Sequence, residues 1–161
     1  MAMLQLQEFC TKNGIDLEVG VVRGDALVSR SRSIAASAFL RSDADVLLSI
    51  DADIKFRPVD AIALCQKALE KQIIGALYMT RNLHTQPALM LGEEEVIFDA
   101  NAEPVEVQFA STGFMAVTRP PLEALSKTLP LCHESWGASA FWPFYMPYTV
   151  EWPGDGYVYL S

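Results

Sequence analysis

At 161 residues and 51% hydrophobic content, the chain is long enough for one domain with a single buried core and too short to make two the expectation. No apolar run approaches the ~20 residues needed to cross a bilayer, and Cys10, Cys65 and Cys132 are scattered and odd in number, so a soluble, cytoplasmic protein with reduced thiols is expected, without a membrane segment, disulfide framework or zinc site. A net charge of −8 excludes a general nucleic-acid surface, which requires concentrated positive charge.

The opening residues place Leu4, Leu6, Phe9 and Cys10 at helical spacing, and Asn13-Gly14 marks the stop before a strand-like run from Leu17 to Val22. A second helix is predicted from about Ser31 to Arg41, with Ile34, Ala35, Ala38 and Phe39 on one face and Ser29 or Ser31 available as N-cap. Val46 to Ile50 is a nearly continuous apolar run of the kind found in a parallel strand covered on both sides, and it ends abruptly in Asp51-Ala52-Asp53. Pro58 suits the first turn of a helix running to about Lys71, with Asp60 near its start and Lys67 and Lys71 near its end, matching the dipole.

Ile73 to Met79 reads as another buried strand. The alternation of strand and helix predicts an α/β fold with a mainly parallel, Rossmann-like sheet and helices on both faces. The second half changes character, since Val96 to Phe98 and the alternating Val105, Val107 and Phe109 read as antiparallel strands around a turn-rich segment from Asp99 to Pro104. Phe114 to Val117 is a further strand, and Pro120-Pro121 opens a short helix through about Lys127. From Leu131 onward, aromatics and prolines without periodicity predict a long ordered loop over the sheet edge.

Ligands of open α/β sheets collect beyond the carboxyl ends of the strands, where Asp51 and Asp53 stand. In extended backbone, residues two apart project to the same side, so the two carboxylates are expected to face one cation. Hard oxygen ligands suit Mg²⁺ or Mn²⁺, which bridges carboxylates to nucleotide phosphates. Solvated strand-end aspartates in a turn are the alternative. Between Arg23 and Arg57, six bases meet five acids, so this stretch is +1 while the remainder carries −9.

Within that stretch, Ser29-Arg30-Ser31-Arg32-Ser33 mixes cations with hydroxyls at a helix start, a position that welcomes an anion; diphosphate contact and a solvated basic turn are both open. Ser111-Thr112-Gly113 precedes a buried strand, where a glycine permits close ligand approach or marks a simple bulge. His84 and His133 have no partner at ligand spacing and are assigned to structure or solvent.

Taken in order, Ser29 to Ser33, then Phe39-Leu40-Arg41-Ser42, then VLLSIDADIKF from Val46 to Phe56, resemble a branch of the GT-A fold glycosyltransferases. The likeness continues through Gly75 to Arg81, through Ser111 to Met115 with its TGFM string, and through Gly156 to Ser161, and so covers nearly the whole chain. Similar families include the family 2 transferases and the fungal Golgi mannosyltransferases, which move a sugar from a UDP- or GDP-sugar with a divalent metal.

The resemblance implies that Asp51 and Asp53 are the metal-binding DxD motif, that Arg32 contacts the donor nucleotide or diphosphate, that Thr112 and Gly113 border the donor sugar, and that Asp25 lies near the nucleotide. It leaves the acceptor undefined. Family members usually begin with an additional strand and continue past the YLS string into an acidic pair that supplies the catalytic base, so this chain is expected to be a part of a transferase with that base outside it.

Two other readings stand beside this one. A non-catalytic module could bind a sugar nucleotide, or pair with itself as a homo-oligomer through its aromatic C-terminal segment or an open sheet edge. A haloacid-dehalogenase-type phosphatase would use Asp51 as nucleophile after the strand at Leu47, although that motif normally opens its domain and no later lysine and paired-acid motif follows.

Overall fold

The computed structural model describes residues 2–22, 25, 27–78, 89–90, 103–107, 109–133, 140–151 and 157–160. Along the chain lie α1 (Ala2–Lys12), α2 (Val28–Arg41), β1 (Val46–Ile50), α3 (Pro58–Lys71), β2 (Ile73–Gly75), β3 (Leu89–Met90), β4 (Phe109–Ala110) and β5 (Phe114–Thr118). They are followed by α4 (Arg119–Ser126), β6 (Cys132–His133), β7 (Ala140–Phe141), β8 (Tyr148–Glu151) and β9 (Tyr157–Leu160). No helix among the described residues is long and apolar enough to cross a membrane.

The mixed helix-and-strand class agrees with the sequence pattern, but the strand pairing does not. The central sheet has the order β1-β5-β2, and β5 runs antiparallel to both neighbours. β1 and β2 therefore point the same way, joined by α3, with β5 inserted between them. Among the described residues every strand pair is antiparallel. Hydropathy could not distinguish the arrangements, because a strand covered on both faces is apolar throughout whichever way its neighbour runs.

Alternation along β5 divides the core into two layers. Phe114 and Ala116 pack with Leu6 and Cys10 of α1 and Ala61, Leu64 and Ala68 of α3, whereas Met115 and Val117 pack with Ala36 and Phe39 of α2 and Leu122 of α4. Helices therefore cover both faces, as expected. Every residue of β5 is buried, in contrast to the partly exposed residues of β1 and β2 at the sheet's edges. Each large aliphatic or aromatic side chain buried this way contributes about 1.5–3 kcal/mol.

Several local expectations are corrected. Residues 15–22 form no strand ladder, and Leu17, Val19, Val21 and Val22 are exposed. α2 begins at Val28, so Ser29 and Ser31 lie inside it. Its N-cap is Leu27, which has no side chain able to accept a capping bond. β2 ends at Gly75 rather than Met79, and Met79 itself lies outside the described residues. Val105 and Val107 carry no regular structure, Phe109 pairs with Met90, and the proposed strand Val96–Phe98 lies outside the described residues, as does His84.

The aromatic C-terminal region is less irregular than its composition implies. It forms the pairs β6–β7 and β8–β9, and part of it is fastened to α2. Ser33 and Ser37 stand one turn apart and are fully buried; Tyr145 N–H donates to Ser33 Oγ (3.1 Å) and Trp142 N–H donates to Ser37 Oγ (2.9 Å). Arg41 stacks its guanidinium over the Trp142 ring at 5.6 Å and donates to the Ala140 carbonyl.

Two further contacts set the geometry. Gln72 closes α3 at φ 70°, a strained value for a residue with a Cβ, and its carbonyl accepts from both Thr118 N–H (2.8 Å) and Thr118 Oγ1 (3.2 Å). Arg119 donates to the carbonyls of Phe39, Leu40, Ser42 and Ala44 and lies over the Phe39 ring. A cation there satisfies orphan carbonyls at the end of α2 and complements its dipole.

Arg119→Ala is expected to lower the unfolding free energy by about 2 kcal/mol, because several carbonyls lose a charged donor together. Arg119→Lys should recover less than half of that, since an ammonium cannot span four carbonyls as a planar fork does. Urea denaturation of the three proteins measures both effects.

Candidate functional site

The β1–β5 register determines the site. Ile50 pairs with Phe114, and the next step of the ladder is the bond from Asp51 N–H to the Gly113 carbonyl at 2.8 Å. Because Leu47 faces α2, Ser49 and Asp51 follow on that side of the strand. Arg32 lies on the second turn of α2, and its Nη2 donates to both Asp51 carboxylate oxygens, at 2.7 and 3.0 Å. The Arg32 side chain is 17% exposed and that of Asp51 45%, so the cation is largely shielded while the carboxylate meets solvent.

Beyond Asp51 the extended backbone ends. Ile54 N–H donates to the Asp51 carbonyl at 3.0 Å, placing Ala52 and Asp53 at the centre of a β-turn. The expectation that Asp51 and Asp53 project together by strand alternation is therefore corrected. Asp53 is exposed in the turn, and its placement relative to Asp51 follows turn geometry.

Gly113 is buried in the turn preceding β5, with the half-buried Thr112 beside it. A Cβ on Gly113 would overlap the Tyr78 hydroxyl, come within 2.8 Å of Tyr78 Cζ and reach 3.0 Å from Asp51 Oδ2. Close approach, rather than a left-handed backbone, favours glycine here, since any Cβ would push the ends of the Tyr78 and Asp51 side chains aside. The Tyr78 hydroxyl is also hydrogen-bonded to Ser111 Oγ. Burial pushes the Tyr145 phenol up, while the neighbouring Arg32 charge acts in the opposite direction, which adds Tyr145 to the surroundings of Arg32.

Of the residues singled out from sequence, Arg32, Asp51 and Gly113 converge, with Thr112 adjacent and Asp53 in the turn that follows Asp51. Asp25 has a different role. Its carboxylate accepts from Arg30 Nε (2.7 Å) and Nη2 (2.8 Å) and from Leu27 N–H (2.9 Å), steadying the entry to α2. Arg30 and Arg32 thus have separate carboxylate partners. Tyr78, Ser111 and Tyr145 complete the cluster. Ser111 was singled out with its neighbours, but Tyr78 read only as a strand residue and Tyr145 only as part of an aromatic run.

The thiols do not join this cluster. Cys10 is buried in the core, and burial with the nearby Cys10 pushes Cys65 up to about 11, so both are expected to stay protonated. Among the described residues no three His, Cys, Asp or Glu side chains gather as a metal site. Compared with protein families, with curated proteins and with solved structures, the chain finds no match.

The Arg30 guanidinium and then the Leu27 amide hold the Asp25 carboxyl below the usual aspartate range of about 3.9. Its stabilising effect is thus present above that range and lost as pH falls through the lowered folded value. Wild type should exceed Asp25→Asn in urea midpoint at pH 6, with the gap narrowing as the pH is lowered through the usual aspartate range and below it. A gap that does not change with pH would contradict this assignment.

Proposed function

We propose that the cluster around Asp51 is the donor site of a metal-dependent glycosyltransferase of the GT-A type, binding a UDP- or GDP-linked sugar. The observation that carries this reading is the Arg32–Asp51 pair beside Gly113: a shielded cation, a half-exposed carboxylate and close backbone converge at the end of one strand. Such an arrangement can take an anion and a cation together. A diphosphate would draw the Arg32 guanidinium, whose planar donors match phosphate oxygens, and free the Asp51 oxygens.

Carboxylate oxygens are the hard ligands that Mg²⁺ or Mn²⁺ prefers. A carboxylate has about four lone-pair positions, so Asp51 retains acceptor capacity beyond its Arg32 bonds, and Asp53, in the turn that follows, would be the second hard oxygen ligand. Mg²⁺ dehydrates reluctantly and is commonly held by one or two carboxylates plus substrate phosphates and water. When bound, the ion would neutralise negative charge on the departing diphosphate.

The remaining roles belong to the chain. Arg32 would bind and orient the diphosphate while an acceptor hydroxyl attacks the anomeric carbon of the sugar. The bond from that carbon to the diphosphate oxygen breaks, and the diphosphate leaves with the electron pair. Arg32 would stabilise that developing charge from a position largely shielded from water, where a fixed cation is most effective. Gly113, with Thr112, keeps the backbone close to the sugar. The proton acceptor for the attacking hydroxyl is assigned to none of these residues.

One observation favours a second reading. Leu17, Val19, Val21 and Val22 are exposed in the unpaired stretch 15–22, a pattern consistent with a module that associates through this surface, with or without catalysis. Sedimentation at several concentrations separates the readings: a monomer at all concentrations removes self-association.

Calorimetric titration with UDP-glucose and with GDP-mannose, each with Mn²⁺, tests the donor site. One of the two is expected to bind wild type and to lose at least tenfold in affinity in the Asp51→Ala/Asp53→Ala double variant. Equal heats for the two proteins would remove the proposal.

A further inference from the structure

We infer that Tyr78 and Ser111 form a hydroxyl subsite that recognises the sugar portion of the ligand, next to the Arg32–Asp51 pair that takes its charged portion. This inference rests on the donor-site reading and adds to it the residues that distinguish a sugar-bearing nucleotide from the bare diphosphate. The key observation is convergence at Gly113. The Tyr78 hydroxyl and Asp51 Oδ2 both approach the point where a Cβ would stand, so a phenol from the segment after β2 and a carboxylate from the end of β1 meet over one glycine.

The Tyr78 ring packs against the core layer that contains Phe114 and Ala116, a contact that needs the apolar ring and not the hydroxyl. The hydroxyl instead extends beyond the core to Ser111 Oγ on the segment leading into β5. Each hydroxyl carries one proton and two lone pairs. Their mutual bond uses one proton and one lone pair, leaving the pair one donor and several acceptor positions. That inventory suits a sugar hydroxyl, which both donates and accepts.

A phosphate, which only accepts, would use just the one remaining donor and already has a cationic partner in Arg32, whereas a sugar hydroxyl uses both capacities. A site built to hydrogen-bond a hydroxyl discriminates through its own groups, which go unsatisfied when the partner is missing. Tyr78 and Ser111 are therefore positioning residues for the sugar and have no assigned proton transfer.

The test compares UDP with UDP-glucose and GDP with GDP-mannose, all with Mn²⁺, by calorimetry on wild type, Tyr78→Phe and Ser111→Ala. Wild type is expected to bind one sugar nucleotide about tenfold tighter than its bare diphosphate. Tyr78→Phe should cut that preference at least fivefold while leaving the diphosphate affinity within twofold, and Ser111→Ala should do the same. Melting temperatures within a few degrees of wild type establish that the variants fold; for a variant that does not, Ser111→Thr, which keeps the hydroxyl, should retain the preference.

An unchanged preference in Tyr78→Phe, or equal losses for sugar nucleotide and diphosphate, would overturn the inference while leaving the donor site standing. Failure of wild type to bind any of the four ligands would overturn both.

Discussion

The antiparallel ladder between β1 and β5 is the constraint on which the rest of the structure depends. Five registered pairs carry the strands to Ile50 and Phe114, and the next step brings Asp51 against Gly113. A slip of one residue would turn Asp51 toward the α1–α3 layer and away from Arg32. The same slip would move Phe114 and Ala116 out of one core layer and Met115 and Val117 out of the other. Burial on both faces thus enforces the register, and the register places the site. Fold stability and site geometry are coupled through the same backbone bonds.

Electrostatics then assigns unequal roles to the two members of the central pair. Arg32 is largely shielded and Asp51 is half exposed, so solvent competes for the carboxylate much more than for the guanidinium. Water can therefore replace the guanidinium as a partner of the carboxylate oxygens, and a ligand can compete for both members of the pair. The structural ion contacts lie elsewhere: Arg119 is spent on the end of α2, and Arg30 on Asp25 at the entry to that helix. Both position α2, and α2 positions Arg32. Ser33 and Ser37 attach the aromatic segment to the same helix, which brings Tyr145 close to Arg32.

The legible parts of the sequence are those governed by local chemistry. The span of α3 follows from Pro58 at its first turn and the charges at its two ends. β1 and β5 follow from apolar runs with sharp boundaries, α4 from the Pro120-Pro121 pair that opens it, and the place of Asp51 at the end of a strand from the abrupt close of the first run. Pairing direction was not visible, because β5 enters between β1 and β2 from far along the chain and leaves no periodic trace in either. Residues 15–22 have the alternation of a strand, yet alternation describes a face and cannot supply a neighbour. The bond between Arg32 and Asp51, nineteen residues apart, and the reach of Tyr78 to Ser111 are tertiary facts. Asp25 shows the converse: an acid resembling a ligand contact is satisfied locally by Arg30 and Leu27.

The central claim is that a divalent cation and a nucleoside diphosphate meet at Asp51. Backbone amide spectra recorded while Mn²⁺ is added in the presence of UDP or GDP test it directly, since the paramagnetic ion broadens signals near it. The account predicts that the amides of Asp51, Ala52, Asp53 and Gly113 broaden first, at substoichiometric metal, and that they do so much less without the diphosphate. Broadening that begins at other acidic positions such as Asp16, Glu18 or Glu70, or that is indifferent to the nucleotide, would contradict it.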